Sequence, residues 1–398
     1  MKGKQHLIIL LTCLALLALS FSARRFYQVV PDMEAIHVGL IYENDETTPY
    51  TYNFSLVQDA LAETYGDRVK ITVHSNIRDA AMEEPLVSLV RAGCDIIFTN
   101  SYSEIFKKVA ADYPEVQFCQ TSYTSVPDLD PPDNYHTFKG ELYQAHYVAG
   151  ICAGYKLRGM LESGEITENQ AKIGFVGALP TSEVITSFTA LLLGARSVCP
   201  AATLTVKYTG VWSNYSLERK CAMDLLDEGC TILSQFTDTI GPAVACEEYY
   251  ALRPVYHVNI HQDMSYIAPS VSICGARVNW VPYVLQAVEA VMTHREIEQV
   301  VQGTAFGHDM TAGFDQDWVT LIPPKDGILP EKALDAIDSA ISQLAKGRKD
   351  NIFRGNYTGV NPDDPSDTIS LLSGYTENTA SSFPSFHYIL SDIITIED

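Results

Sequence analysis

The chain has 398 residues, 46% hydrophobic and 19% charged, which suits a folded protein of two domains. Its formal net charge is −22, and its Lys and Arg are few and scattered. That balance excludes a nucleic-acid surface and disfavours contact with anionic lipid.

Lys2 and Lys4 precede an apolar run from Leu7 to Phe21, and Arg24 and Arg25 follow it. The pattern predicts a secretory signal over 1–25, cleaved after Ser20 or Ser22. An uncleaved N-terminal membrane anchor is a competing reading, since the run is marginal in length for a spanning helix. A lipidation site at Cys13 in Leu10-Leu11-Thr12-Cys13 is a third. All three place the body of the protein outside the cytoplasm. The other eight cysteines mostly fall in apolar strand or helix patterns, which predicts buried free thiols and leaves disulfides possible.

Strands and helices then alternate. "AIHVGLIY" ends at Tyr42 and a helical pattern follows from Asn53; "VKITVHS" precedes a helix up to Ala92; "CDIIFTN" leads to a helix near Tyr113, and "VQFCQT" follows. This alternation predicts an α/β fold with a parallel sheet covered on both faces. The pattern repeats about 135 residues downstream. Val38-Gly39-Leu40 is echoed by Ile173-Gly174-Phe175, Ile71-Thr72-Val73 by Leu204-Thr205-Val206, and "LVRAGCDIIF" by "LLDEGCTILS". Three ordered echoes at one offset predict two similar lobes. "ELYQAHYVAGICAGYKL" lies between them and opens the second. Toward the C-terminus, 351–398 lacks helix periodicity and reads either as a wrap on the second lobe or as a partly ordered tail.

In open α/β sheets ligands sit beyond the carboxyl ends of the strands, so the loops there should line a cleft between the lobes. Tyr50 and Tyr52, just before a helix, offer a stacking wall for a flat ring. Trp212 follows a strand, and Asp238 in "SQFTDT" can accept from a ring N–H or an exocyclic amine. In "GARVNWVPYV", Arg277 and Asn279 alternate with Val278 and Trp280, so the two pairs face opposite sides. No P-loop, GxGxxG, GxSxG or HExxH occurs. His257 and His261 would lie about 13 Å apart on an extended segment, so no metal site and no cofactor are expected, and nothing in the spacing supports catalysis.

Several blocks in one order resemble the basic membrane protein (BMP) family of substrate-binding proteins of ABC importers, which includes purine nucleoside receptors. They are Pro49-Tyr50-Thr51-Tyr52, "YQAHYVAGICAG", "PTSEVITSFTALLLGARSVCP", "VWSN", "QFTDT", "QDMSYIAP" and "VNWVPYV". The resemblance implies a type I periplasmic-binding-protein fold: two doubly wound parallel-sheet lobes, joined by three crossovers, that close on a small ligand. The expected lobes are 36–137 plus 262–305 and 138–261 plus 306–398. By resemblance, a purine nucleobase- or nucleoside-like ligand stacks between Tyr52 and Trp280, with Ser101, Tyr102, Glu183, Trp212, Thr237 and Asp238 as further contacts. Two departures stand out. The Asn-Asp-Lys-Ser-Phe-Asn type motif of the nucleoside receptors is absent. His261 stands where a related branch carries Asp, while Asp263 is kept; both join the expected contacts. The implied protein is a non-enzymatic monomer serving an ABC permease. The alternatives are an anchored ligand-sensing module of the same fold and a nucleoside-processing enzyme.

Overall fold

The computed structural model describes residues 32–126 and 130–397. The segment 1–25, with its three targeting readings, lies outside the described residues. Among the described residues no helix is long and apolar enough to cross a membrane.

The chain first lays down β1 (Ile36–Ile41), α1 (Pro49–Tyr65), β2 (Val69–His74), α2 (Glu83–Arg91), β3 (Ile96–Thr99), α3 (Glu104–Asp112), β4 (Gln117–Thr121) and β5 (Tyr135–Gly140). It then crosses through α4 (Leu142–Ser163). A second unit follows: β6 (Lys172–Gly177), α5 (Ser182–Arg196), β7 (Thr203–Tyr208), α6 (Tyr215–Asp227), β8 (Ile232–Phe236), α7 (Gly241–Tyr249), β9 (Tyr256–Ile260) and β10 (Ser272–Val278). The return passes through α8 (Val281–Met292) and α9 (Ile297–Val300) to β11 (Thr304–Phe306) and β12 (Asp309–Ala312), and the chain crosses once more to β13 (Val319–Ile322) and α10 (Glu331–Leu344). A hairpin of β14 (Thr358–Val360) and β15 (Thr368–Ser370) and a last strand β16 (Ile394–Glu397) complete it.

Two seven-stranded sheets result, ordered β11-β12-β5-β4-β3-β1-β2 and β13-β10-β9-β8-β6-β7-β16. Every named pairing in them is parallel except β11 with β12 and β10 with β13. This is the expected pair of α/β lobes. Strands of a parallel sheet are covered on both faces, and β1 and β8 are buried at every position, the polar His37, Ser234 and Gln235 included. Side chains cap two of the helices: Ser103 accepts from the Ile105 N–H and Asn214 from the Leu217 N–H.

The sequence echoes have a packing cause. A Cβ on Gly39 would lie 2.9 Å from Leu89 Cδ1 and 3.3 Å from Cys94 Sγ. At the echoed Gly174 it would lie 3.1 Å from Leu225 Cβ and 3.2 Å from Cys230 Cβ. In each lobe a glycine on the first strand lets the helix that follows the second strand, α2 or α6, and its Gly-Cys turn press onto the sheet. The eight described cysteines are free, and all but Cys221 are buried.

The expected lobe boundaries need correction at two places. Ser272–Val278, placed with the first lobe over 262–305, pairs in parallel with β9 in the second sheet. Asp309–Ala312, placed with the second lobe over 306–398, pairs with β5 in the first. The chain leaves the second lobe only after that lobe has its own fifth parallel strand, as it left the first after β5. The segment 351–397 wraps the second lobe. β16 adds to β7, Phe353 stacks on Phe386 at 4.9 Å, and the buried Glu377 accepts from the Ser385 and Phe386 N–H groups and from the Thr186 hydroxyl of α5.

The two long helices α4 and α5 cross at glycines. A Cβ on Gly150 would strike the Leu191 carbonyl, and one on Gly194 the Tyr147 carbonyl. Backbone cannot give way as a side-chain tip can. Gly150→Ala is therefore expected to cost about 3 kcal/mol, the upper end for overpacking. Denaturant unfolding measures it, and a loss under about 0.5 kcal/mol, the level of an ordinary surface change, would show that the helices separate freely.

Candidate functional site

Between the lobes lies a cavity of about 590 Å³, within the range of small-molecule sites. Its wall is built at the carboxyl ends of the strands of both sheets. The first lobe supplies Glu43, Asn44 and Tyr50 after β1, Ser101 and Tyr102 after β3, and Lys139 at the end of β5. The second supplies Glu183 after β6, Trp212 after β7, Phe236, Thr237 and Asp238 at and after β8, and His261 after β9. Val278 and Trp280 mark the exit from β10.

Trp280 is 3% exposed. Its ring meets Tyr50 at 5.9 Å and Phe138 at 5.5 Å, both edge-on, and Phe54 at 5.5 Å. Asn53 on α1 donates to the Val278 carbonyl at 2.6 Å, so the first helix holds the strand exit that presents this ring. Arg277 and Asn279 turn the other way. Arg277 donates to Thr320 Oγ1 at 3.2 Å and Asn279 to the Asp317 carbonyl at 2.9 Å; both fasten β13 and the turn before it.

Two polar contacts cross the cleft. The Tyr50 N–H donates to Asp238 Oδ1 at 2.8 Å. Lys139 Nζ lies 2.8 Å from Glu183 Oε1, also donates to the Tyr102 hydroxyl and the Ser122 carbonyl at 3.1 Å each, and sits 4.8 Å from the Phe383 ring centre. Burial pushes the Asp238 carboxyl up to about 7, against the lowering effect of the Tyr50 N–H and the Thr48 hydroxyl. Burial likewise drives His261 down to about 3, helped by the neighbouring His146 and by the cations Lys139 and Arg277, so its imidazole is neutral at physiological pH. His261 has φ 59°, a left-handed conformation rare for a non-glycine residue. Its Nδ1 and the Trp280 Nε1 are buried without a protein partner, an arrangement that usually has a reason in function.

Of the eleven residues expected from sequence, the cleft gathers Tyr50, Ser101, Tyr102, Glu183, Trp212, Thr237, Asp238, His261 and Trp280. Tyr52 is not among them. The helix begins at Pro49 rather than after Tyr52, and two residues apart on a helix means about 200° of rotation. Tyr50 faces the cleft and Tyr52 is exposed. Asp263 also lies outside, on an exposed turn where it accepts from the Ser265 N–H at 2.9 Å. Sequence reasoning missed Lys139, a lone cation on a strand with no motif around it. It also missed Glu218. This buried carboxylate accepts from the Asn214 N–H at 2.9 Å and the Thr239 N–H at 3.1 Å, which ties the loop of Trp212 to the loop of Asp238.

The family model described as "Bmp: ABC transporter substrate-binding protein PnrA-like" matches residues 57–348. A purine-binding protein of Brucella abortus is 27% identical over 264 residues, 65% of this chain and 69% of that protein. A putative ABC transporter glucose-binding protein of Haloferax volcanii is 35% identical over 148 residues, 36% of this chain and 34% of that one. Among solved structures, an ABC transporter solute-binding protein from Conexibacter woesei superposes with a TM-score of 0.60 at 19% identity, covering 79% of this chain and 97% of that one. The matched family span stops before the C-terminal wrap that places Phe383 on Lys139.

Proposed function

The chain belongs to the Bmp family of PnrA-like ABC transporter substrate-binding proteins, and from that premise we propose that its interlobe cleft takes a purine nucleobase or nucleoside. Proteins of this family are extracytoplasmic; they bind small molecules and deliver them to a permease rather than transform them. The proposed protein acts as a monomer. The observation that carries the ligand class is the wall itself: aromatic rings from both lobes beside the carboxyl of Asp238, with Lys139 already neutralised by Glu183 and the other lining cation, Arg78, accompanied by Glu43 and Asp79. Flat rings gain from aromatic faces, and a ring N–H or exocyclic amine suits Asp238. A neutralised lysine gives a free phosphate little to bind. The purine-binding relative supports the same choice.

Calorimetric titration with adenine, guanine, hypoxanthine, their nucleosides and glucose tests it. Binding of a purine ligand with a negative heat-capacity change is expected. Trp212 is half-buried and edge-on to Phe236 at 6.2 Å, so Trp212→Ala should weaken binding about tenfold, the value of one aromatic contact. Folded protein that ignores every purine, or prefers glucose, would overturn the assignment.

A further inference from the structure

β5 carries a second constellation at its other end. Lys139 reaches the cleft; His136, three residues earlier and so about 10 Å back along the strand, belongs to a cluster that the cleft does not use. His136 Nδ1 lies 2.6 Å from Glu298 Oε1, and His308 Nδ1 lies 3.1 Å from the same oxygen. The three donor atoms fall within 4.8 Å of one another. Glu298 comes from α9 and His308 from the turn between β11 and β12, so three separate elements converge here. The side chains of His136 and Glu298 are 2% and 16% exposed, while that of His308 is 30% exposed.

The proton inventory of this cluster is unusual. His136 Nε2 lies 2.9 Å from Gln117 Oε1. An amide oxygen only accepts, so Nε2 carries the proton. In a neutral ring Nδ1 is then a lone pair aimed at a carboxylate oxygen, which also only accepts. The second imidazole aims its Nδ1 at that same oxygen. One cation placed among the three atoms satisfies all of them, and the Gln117 contact is then the outer partner that orients a ligating histidine.

We propose that His136, Glu298 and His308 hold one divalent transition-metal ion, zinc by its donor set. Two histidines and a carboxylate form a known zinc triad, with donors about 3.3 Å apart around a tetrahedral ion. From the observed 2.6 and 3.1 Å contacts the Glu298 carboxylate must spread slightly, and the two imidazole donors, within 4.8 Å of each other, must settle at the same spacing. His308 also lines a surface groove of about 240 Å³ with Thr137 and Phe306, which gives the ion an entry path and its fourth position a water. The site pins the returning segment 297–312 onto β5. The Thr137 N–H to His308 carbonyl bond at 2.9 Å already brings the two backbones together. Sequence spacing could not reveal it, because His136 and Glu298 stand 162 residues apart.

The test uses the full chain, stripped of metal and titrated with zinc sulfate against a chromophoric chelator, with thermal unfolding recorded alongside. One equivalent of zinc is expected, together with a rise in Tm. His308→Ala, at a half-buried position, should keep the fold and weaken zinc binding at least tenfold; Glu298→Gln should do the same. Gln117→Leu should weaken it about 10–100-fold, as loss of an outer partner does. Failure to compete with the chelator overturns the site. So does zinc binding that survives in both His308→Ala and Glu298→Gln, or a Tm loss in these variants that is the same with and without zinc, the mark of a plain ion pair.

Discussion

Lys139→Ala is expected to cost about 3–5 kcal/mol in the ligand-saturated protein, read by denaturant unfolding. The size follows from burial. Lys139 and Glu183 side chains are 6% and 10% exposed, and removing one partner strands the other charge in a medium that solvates it poorly. Glu183→Gln should cost less, since an amide can still accept from the ammonium. A paired Lys139→Met, Glu183→Leu change should recover most of the loss, because apolar replacements of similar volume avoid desolvating either charge.

The same pair also reports on lobe closure. Lys139 ends a strand of the first sheet and Glu183 opens a helix of the second lobe. Opening the cleft separates them and hydrates both, so the penalty for losing one partner exists only in the closed form. If the empty protein is mostly open, Lys139→Ala will cost little without ligand and the full amount with it. A loss under about 1 kcal/mol in both states, the range of an exposed pair, would mean that the two charges are never jointly buried.

The two-lobe fold was legible because the duplication has a steric origin. Gly39 and Gly174 each admit a leucine and a cysteine from the lobe's second helix and the turn after it, and that requirement keeps the same residue types at the same spacing. The second crossover was misplaced although the same offset locates it: β5 begins at Tyr135, and about 135 residues later stands β10, the strand assigned to the wrong lobe. What hid it was the polar stretch "HQDMSY", which reads as a lobe exit but is a connection returning to the same sheet.

The cleft was legible for residues close to a strand end, where the strand fixes position with little help from tertiary detail; Asp263, three residues past β9, already lies on the exposed turn beyond it. Tyr52 failed on one local signal. Pro49 sits in the first helical turn, where proline is favoured, and starting the helix there rotates Tyr52 out of the cleft. Lys139 was not legible. Nothing in "YHTFKG" distinguishes it from a solvated strand lysine; its role depends on a glutamate from the other lobe and on Phe383 from the C-terminal wrap.

Asp238 gives the second large effect, and its sign is set by burial. Its carboxyl holds a proton up to about pH 7 in the closed protein, against about 3.9 in an unfolded chain. A raised acid pKa means that the folded state binds the proton more tightly, so its contribution favours folding below the ordinary carboxylate range and is lost as pH climbs from about 4 to 7. The full loss is on the order of 4 kcal/mol. The empty protein should therefore lose stability over that window, and Asp238→Asn should flatten the profile and stabilise the empty closed form at pH 8. Ligand binding should run the other way. A purine that donates an N–H to Asp238 needs the carboxylate, so where the empty protein is closed, affinity should fall by up to tenfold per pH unit below 7. Asp238→Asn should abolish that slope and weaken binding at pH 8 by about 1.5–3 kcal/mol, the value of a hydrogen bond to a charged group. Calorimetric titration from pH 5.5 to 8 measures both. An affinity that instead rises toward low pH would make Asp238 a proton donor to a ligand acceptor and reverse its role; a flat profile in the unmodified protein would remove it from the contact altogether.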